Sequence, residues 1–150
     1  MSKDNRFASQ FKHDSSESIG FVFMKTYAAW HSLIKNSLKQ YSITHPQFII
    51  LTTLAYLSEH FDEVTQVTLS QHANIDVVTV SQILDNLEKK ILVNRITSIK
   101  DSRAKSIQLT DNGYIMVNKT APLVEKIDNQ FFSCLGEDIF YFHKMLLKLS

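Results

Sequence analysis

Apolar residues recur at steps of three and four over Ile19, Phe23, Tyr27, Trp30, Leu33, Ile34 and Leu38. That spacing predicts a long amphipathic helix, opening at the polar run Ser15-Ser16-Glu17 and reaching about Gln40. Residues 1–15 are polar and aperiodic, which predicts a mobile N-terminal arm. Pro46, just after Thr44 and His45, suits the first turn of a second helix, where a missing N–H costs nothing. Phe48, Leu51, Leu54, Ala55 and Leu57 carry that helix to about His60.

The middle of the chain changes character. Val64 to Val67 is short and β-branched, and Thr68 is expected to cap a short helix through Leu69, Gln71 and Ala73. Asn74 and Ile75 make a tight turn. Asp76 then caps another helix, with Val80, Ile83, Leu84 and Leu87 inward and Thr79, Ser81, Gln82, Asp85, Asn86 and Lys89 outward. Two short helices joined by a turn are the helix-turn-helix pattern. Val93–Thr97 and Ser106–Thr110 read as paired strands, with Ile96, Ile107 and Leu109 expected to be buried. The polar tip between them, residues 98–105, makes the pair a wing. Thr110 and Asp111 open another long helix bearing Tyr114, Val117, Ala121, Val124, Phe131 and Leu135. Pro122 should kink that helix, and Gly136 should end it before a last helix over Asp138 to Leu149. The predicted class is mainly α with a small β-hairpin: a winged helix-turn-helix flanked by N- and C-terminal helices.

Composition narrows the class. Only three Gly and two Pro occur in 150 residues, too few turn formers for a β-sandwich. The one cysteine, Cys134, excludes an internal disulfide framework and is expected to be a buried thiol. The apolar run Ile19–Met24 stops at Lys25, far short of the ~20 residues a membrane span needs, and Met1 to Phe11 has no signal-type apolar core, so a cytoplasmic location is expected. His13, His31, His45, His60, His72 and His143 are scattered, with no metal-binding or nucleophile motif among them; no enzyme activity, metal or cofactor is expected. The terminal helices carry Phe21, Phe23, Tyr27, Trp30, Phe131, Phe132, Phe140, Tyr141 and Phe142, more aromatic surface than a central module of about 70 residues can cover. A second copy of the chain is the simplest cover.

Charge adds a direction. Residues 89–105 hold Lys89, Lys90, Arg95, Lys100, Arg103 and Lys105 against Asp101 alone, on a chain whose formal net charge is only +1. A basic hairpin on a mildly acidic body is an electrostatic footprint for phosphate.

The stretch Thr79-Val80-Ser81-Gln82-Ile83-Leu84-Asp85-Asn86-Leu87-Glu88-Lys89-Lys90, then Asp101-Ser102-Arg103-Ala104-Lys105, then Leu109-Thr110-Asp111-Asn112-Gly113, resembles the MarR family of bacterial regulators. The helix order over residues 16–150 agrees with it. The resemblance implies a homodimer, with residues 16–45 and 113–150 as dimerisation helices and residues 46–112 as the winged module. It implies recognition helices in successive major grooves of a palindromic double-stranded operator, wings in the flanking minor grooves, and a repressor released by a small effector, commonly an aromatic acid. Two positions depart from the family pattern. Ile91 stands where Gly usually closes the recognition helix, so a different cap is expected; Gln82 stands where Arg is common, which bears on base preference.

Within that frame the residue types have chemical roles. Thr79 and Ser81 hydroxyls suit base edges or phosphates, Gln82 can pair bidentately with adenine, and Asn86 can do either. Ser70 and Gln71 are expected at the start of the first helix of the motif, where phosphate is held. Arg103 suits a narrow minor groove, Lys100 and Lys105 suit the backbone, and Asp101 is expected to pair with Arg103 or Arg95 and shape the wing. Tyr27, Trp30, His31 and Phe48 are the candidate effector contacts, with His31 the partner for a carboxylate; core packing is the alternative role for the same rings. The competing functions are a non-enzymatic helical protein-interaction module and a metal-sensing regulator of the same fold.

Overall fold

The structure, a computed structural model, describes residues 6–150. Residues 1–5 of the expected arm lie outside the described residues. Further along that arm, Asp14 accepts from the Ser16 backbone and caps a 3-10 turn over Ser15–Glu17, so local order begins before the first helix.

Eight regular elements follow: α1 (Ile19–Leu38), α2 (His45–His60), α3 (Gln66–Ala73), α4 (Val77–Lys89), β1 (Val93–Thr97), β2 (Lys105–Leu109), α5 (Asp111–Phe132) and α6 (Ile139–Leu149). The class is the one the apolar pattern predicts. Side-chain caps explain the starts. Ser18 accepts from Phe21 N at α1 and Thr110 from Gly113 N at α5. Thr44 and Gln47 satisfy each other's backbone N–H groups at α2. Each such cap contributes about 1 kcal/mol. The cap of α3 is Thr65, not Thr68: Thr68 donates its backbone N–H to the Thr65 hydroxyl.

The core lies between α2 and everything packed on it. Ile34 and Leu38 of α1, Ile50, Leu51 and Leu54 of α2, Leu69 of α3 and Leu84 and Leu87 of α4 are all fully buried. β1 and β2 pair antiparallel, with Val93 opposite Leu109 and Arg95 opposite Ile107. This register turns Ile96, opposite Ser106, to the other face, where it is 43% exposed; its expected burial is corrected. Of the three residues expected to be buried, Ile107 is buried and Leu109 half-buried. Thr65 bridges Ser106, and Ile107 N donates to Val64 O, so the β-branched stretch before α3 lies along the wing's base.

Helix α5 continues through Pro122, and Gly136 breaks the chain with φ +55° before α6. Cys134 is exposed, so the expected burial of its thiol is also corrected. Among the described residues, no helix is long and apolar enough to cross a membrane.

Candidate nucleic-acid interface

The turn between α3 and α4 is held by three local devices. Asn74 closes α3 in the left-handed conformation that Asn tolerates best after Gly, at φ 53°. Ser70 donates its hydroxyl to Ile75 O at 2.6 Å. Asp76 caps α4, accepting from Thr79 N at 2.9 Å and Thr79 Oγ1 at 2.6 Å; the Thr79 hydroxyl bond, then the backbone bond, hold its carboxyl below the ordinary range.

These contacts revise part of the expected contact set. Because α3 starts at Gln66, Ser70 and Gln71 lie in its second turn and not at its N-terminus. Ser70 is buried and braces the turn, so its expected phosphate contact is corrected. Gln71 remains exposed. Thr79 is half-buried with its hydroxyl facing the cap.

Helix α4 buries Val80, Ile83, Leu84 and Leu87. Its outward face presents Gln82 and Asn86, both exposed, with Ser81 half-buried beside them. Asn86 donates Nδ2 to Gln82 O at 3.2 Å, leaving its side-chain oxygen outward. Val77 and Val78 open the helix at 45% and 68% exposure. Neither carries a hydrogen-bonding side chain, so neither stands out in the sequence. Their signal was two β-branched residues at a helix start with no place in the core stripe; such methyl groups suit thymine.

The basic segment divides into two kinds of cation. Lys90, though exposed, is held against the body of the protein, donating Nζ to Ser42 O and to Gln47 Oε1. Arg95 reaches Asp85 and Glu88 of α4, with Nε 2.6 Å from Glu88 Oε2. Partial burial opposes its charge, but the bonds to both carboxylates outweigh that and hold its pKa above the ordinary value. Arg95 therefore ties the wing to α4, and of the two partners expected for Asp101, Arg103 or Arg95, Arg95 is taken elsewhere. Asp101 accepts from the other expected partner, from Arg103 N at 3.0 Å and Arg103 Nε at 3.4 Å. The outward cations are Lys89, Lys100, Arg103 and Lys105, all exposed, with the Arg103 side chain at 91%.

Ile91 takes φ 58°, the left-handed conformation for which Gly is usual. The chain closes α4 with the paired bonds Ile91 N to Glu88 O and Leu92 N to Leu87 O, the same motif a Gly would form. The expectation of a different cap is thus corrected: Ile91 accepts the strain, and Thr110 Oγ1 donates to its carbonyl at 2.7 Å.

The candidate effector residues come together around His45. Tyr27 stacks on His31, His31 on His45, and Trp30 meets His45 edge-on at 5.2 Å between centroids; Phe48 lies 6.4 Å from His45. His45 Nδ1 and His31 Nδ1 are 2.6 Å apart. Burial, then the nearby His31, hold the His45 pKa below its ordinary value, against the pull of Asp128. Tyr27 and Trp30 also border an open cleft of about 770 Å³ whose walls include Phe131, Phe132, Phe140 and Asp128. Among the described residues, no group of three or more metal-ligating side chains is assembled.

Known proteins share this fold. The ArnR1-like winged-helix domain family matches residues 39–127. YdcH of Bacillus subtilis, named an uncharacterized HTH-type transcriptional regulator, is 33% identical over 116 residues, covering 77% of this chain and 79% of its own. The chain belongs to the ArnR1-like winged-helix domain family. Among solved structures, Staphylococcus aureus MepR in complex with DNA has a TM-score of 0.76 at 27% identity, covering 87% of this chain and 94% of MepR. A mutant of Escherichia coli MarR in complex with operator DNA has a TM-score of 0.79 at 22% identity, covering 94% and 97%, a likeness of fold. The chain is a DNA-binding transcriptional regulator of the winged helix-turn-helix type.

Proposed function

We propose that the protein is a cytoplasmic homodimeric repressor that reads a palindromic operator and lets go when a small aromatic molecule binds. One observation carries the DNA part. The outward face of α4 offers Gln82 and Asn86, while the wing beside it offers Lys100, Arg103 and Lys105 unburied. Hydrogen-bonding side chains on a helix narrow enough for the major groove, flanked by exposed cations, divide base reading from phosphate holding.

The dimer rests on apolar surface. Phe23 and Met24 of α1 and Phe140, Met145 and Leu147 of α6 are each more than half exposed. Residues 16–45 and 113–150 would supply the interface and residues 46–112 the DNA-binding module; two modules related by a twofold axis match palindromic half-sites. The effector rests on the aromatic cleft beside Tyr27 and Trp30. His31, the expected partner for a ligand carboxylate, faces His45 through Nδ1, and the charged group on the cleft wall is Asp128. An uncharged aromatic molecule fits that lining better than an aromatic acid.

Two variants test the DNA reading. Gln82→Ala should lose discrimination at one base pair per half-site, by about 1–3 kcal/mol, in a panel of single-base duplex variants. Arg103→Ala should weaken binding and flatten its dependence on salt. A panel with unchanged spacing of affinities, or an unchanged salt slope, contradicts the corresponding role.

A further inference from the structure

Glu63 lies in the connection between α2 and α3, outside the helix-turn-helix and outside the wing. Both oxygens of its carboxylate nevertheless bind the wing. Ser98 Oγ donates to Oε2 at 2.8 Å, and Ile99 N donates to Oε1 at 3.0 Å. Ser98 is buried, and the same hydroxyl accepts from Lys100 N at 3.2 Å and Asp101 N at 3.1 Å. Asp101 in turn accepts from Arg103 N, and its carbonyl accepts from Ala104 N. A chain of hydrogen bonds thus runs from Glu63 through Ser98 to the backbone of Lys100, Asp101 and Arg103. The hydroxyl of Ser98 has one proton; giving it to Glu63 frees its lone pairs for the two amides.

An acid at this place is otherwise unfavourable. It lies against the wing tip that carries Lys100, Arg103 and Lys105, where any carboxylate repels phosphate. A carboxylate supplies one acceptor oxygen for each of the two donors and brings no donor of its own. The bond from Ser98, together with the Ile99 amide and the charge of Lys100, keeps its pKa below the ordinary value against the opposing effect of burial. Its neighbours are anchored in the same way, since Val64 O accepts from Ile107 N and Thr65 bridges Ser106.

We propose that Glu63 is a positioning residue for DNA binding, which through Ser98 locks the wing tip in the conformation that presents Lys100 and Arg103. This rests on the reading that the wing contacts DNA. It predicts an effect opposite in sign to simple charge. Glu63→Gln adds one unit of positive charge beside the wing, so Coulomb attraction alone would tighten binding to any duplex. A lost lock instead weakens it. The amide keeps one acceptor oxygen and puts a donor where Ser98 or Ile99 must donate.

The test compares wild type, Glu63→Gln, Glu63→Ala, Arg103→Ala and the Glu63→Ala, Arg103→Ala double variant on a duplex enriched by wild type from a random pool, across salt concentrations. Hydrogen exchange of the wing amides is followed in parallel. The expected result is an affinity loss of about tenfold for both Glu63 variants with a shallower salt slope. Arg103→Ala should add little on the Glu63→Ala background. Exchange should quicken at Ile99, Lys100 and Asp101 while α4 amides stay protected, which separates a loosened wing from a damaged fold. Binding by Glu63→Gln as tight as wild type or tighter overturns the proposal, as do unchanged wing amides. A wild type that enriches no duplex overturns the DNA reading itself, and this proposal with it.

Discussion

The indole Nε1–H of Trp30 donates to Asp128 Oδ1 at 2.7 Å, joining α1 to α5 across 98 residues of chain. The bond sits at the foot of the aromatic cleft, where the terminal helices meet. Asp128→Ala would leave a half-buried indole N–H without its acceptor and should cost about 1–3 kcal/mol. Asp128→Asn keeps an acceptor oxygen and should recover much of that. Denaturant midpoints of the three proteins measure it; equal midpoints for Ala and wild type would show that the bond contributes nothing.

Gly113 explains a motif by close approach. A Cβ there would stand 2.1 Å from Leu92 O, in the buried junction of the wing and α5. Backbone cannot give way as a side-chain tip can. Gly113→Ala should therefore destabilise the fold by about 1–3 kcal/mol, read as a lower melting temperature. A variant as stable as wild type would mean that the junction is loosely packed.

Ile91 carries strain at the end of α4. A β-branched residue at φ 58° costs about 1–2 kcal/mol relative to its preferred conformations, and its side chain is 65% exposed, so little packing is lost with it. Ile91→Gly should stabilise the protein by up to about 1 kcal/mol, the gain reduced by the greater freedom of Gly in the unfolded chain. Chemical denaturation decides it. A destabilised variant would mean that Ile91 packs more tightly than its exposure indicates.

His45 should make stability depend on pH. Burial holds its pKa below the ordinary 6.5, so the unfolded chain takes up this proton before the folded one does. Stability is then fully present above about pH 6.5 and falls as pH drops from there toward the folded value. His45→Gln should flatten the melting temperature over that window. A profile of equal slope in both proteins would place the sensitivity elsewhere.

Much of this architecture is legible in the sequence because periodicity reports which face is buried. The α4 stripe of Val80, Ile83, Leu84 and Leu87 is the inner face that its spacing predicts, and Asp76 is the cap. The failures share a cause. Sequence shows what a residue can do but not which neighbour reaches it first. Ser70 has the chemistry to hold phosphate, yet Ile75 O lies 2.6 Å away. Arg95 reads as a partner for Asp101, but the strand register points it at Asp85 and Glu88. Ile96 fits a buried strand position, and only the pairing with Ser106 reveals that it faces out. Ile91 shows the reverse case, a residue that takes a backbone conformation its type disfavours because Leu92 and Thr110 fix the chain on either side.

Selection of duplexes from a random pool by the purified protein, followed by affinity against salt, tests the central claim most directly. The account predicts enrichment of a palindromic site with half-sites about one helical turn apart, bound by two chains with a steep salt dependence. Recovery of no preferred sequence at low salt, or of a site bound by a single chain, would contradict it.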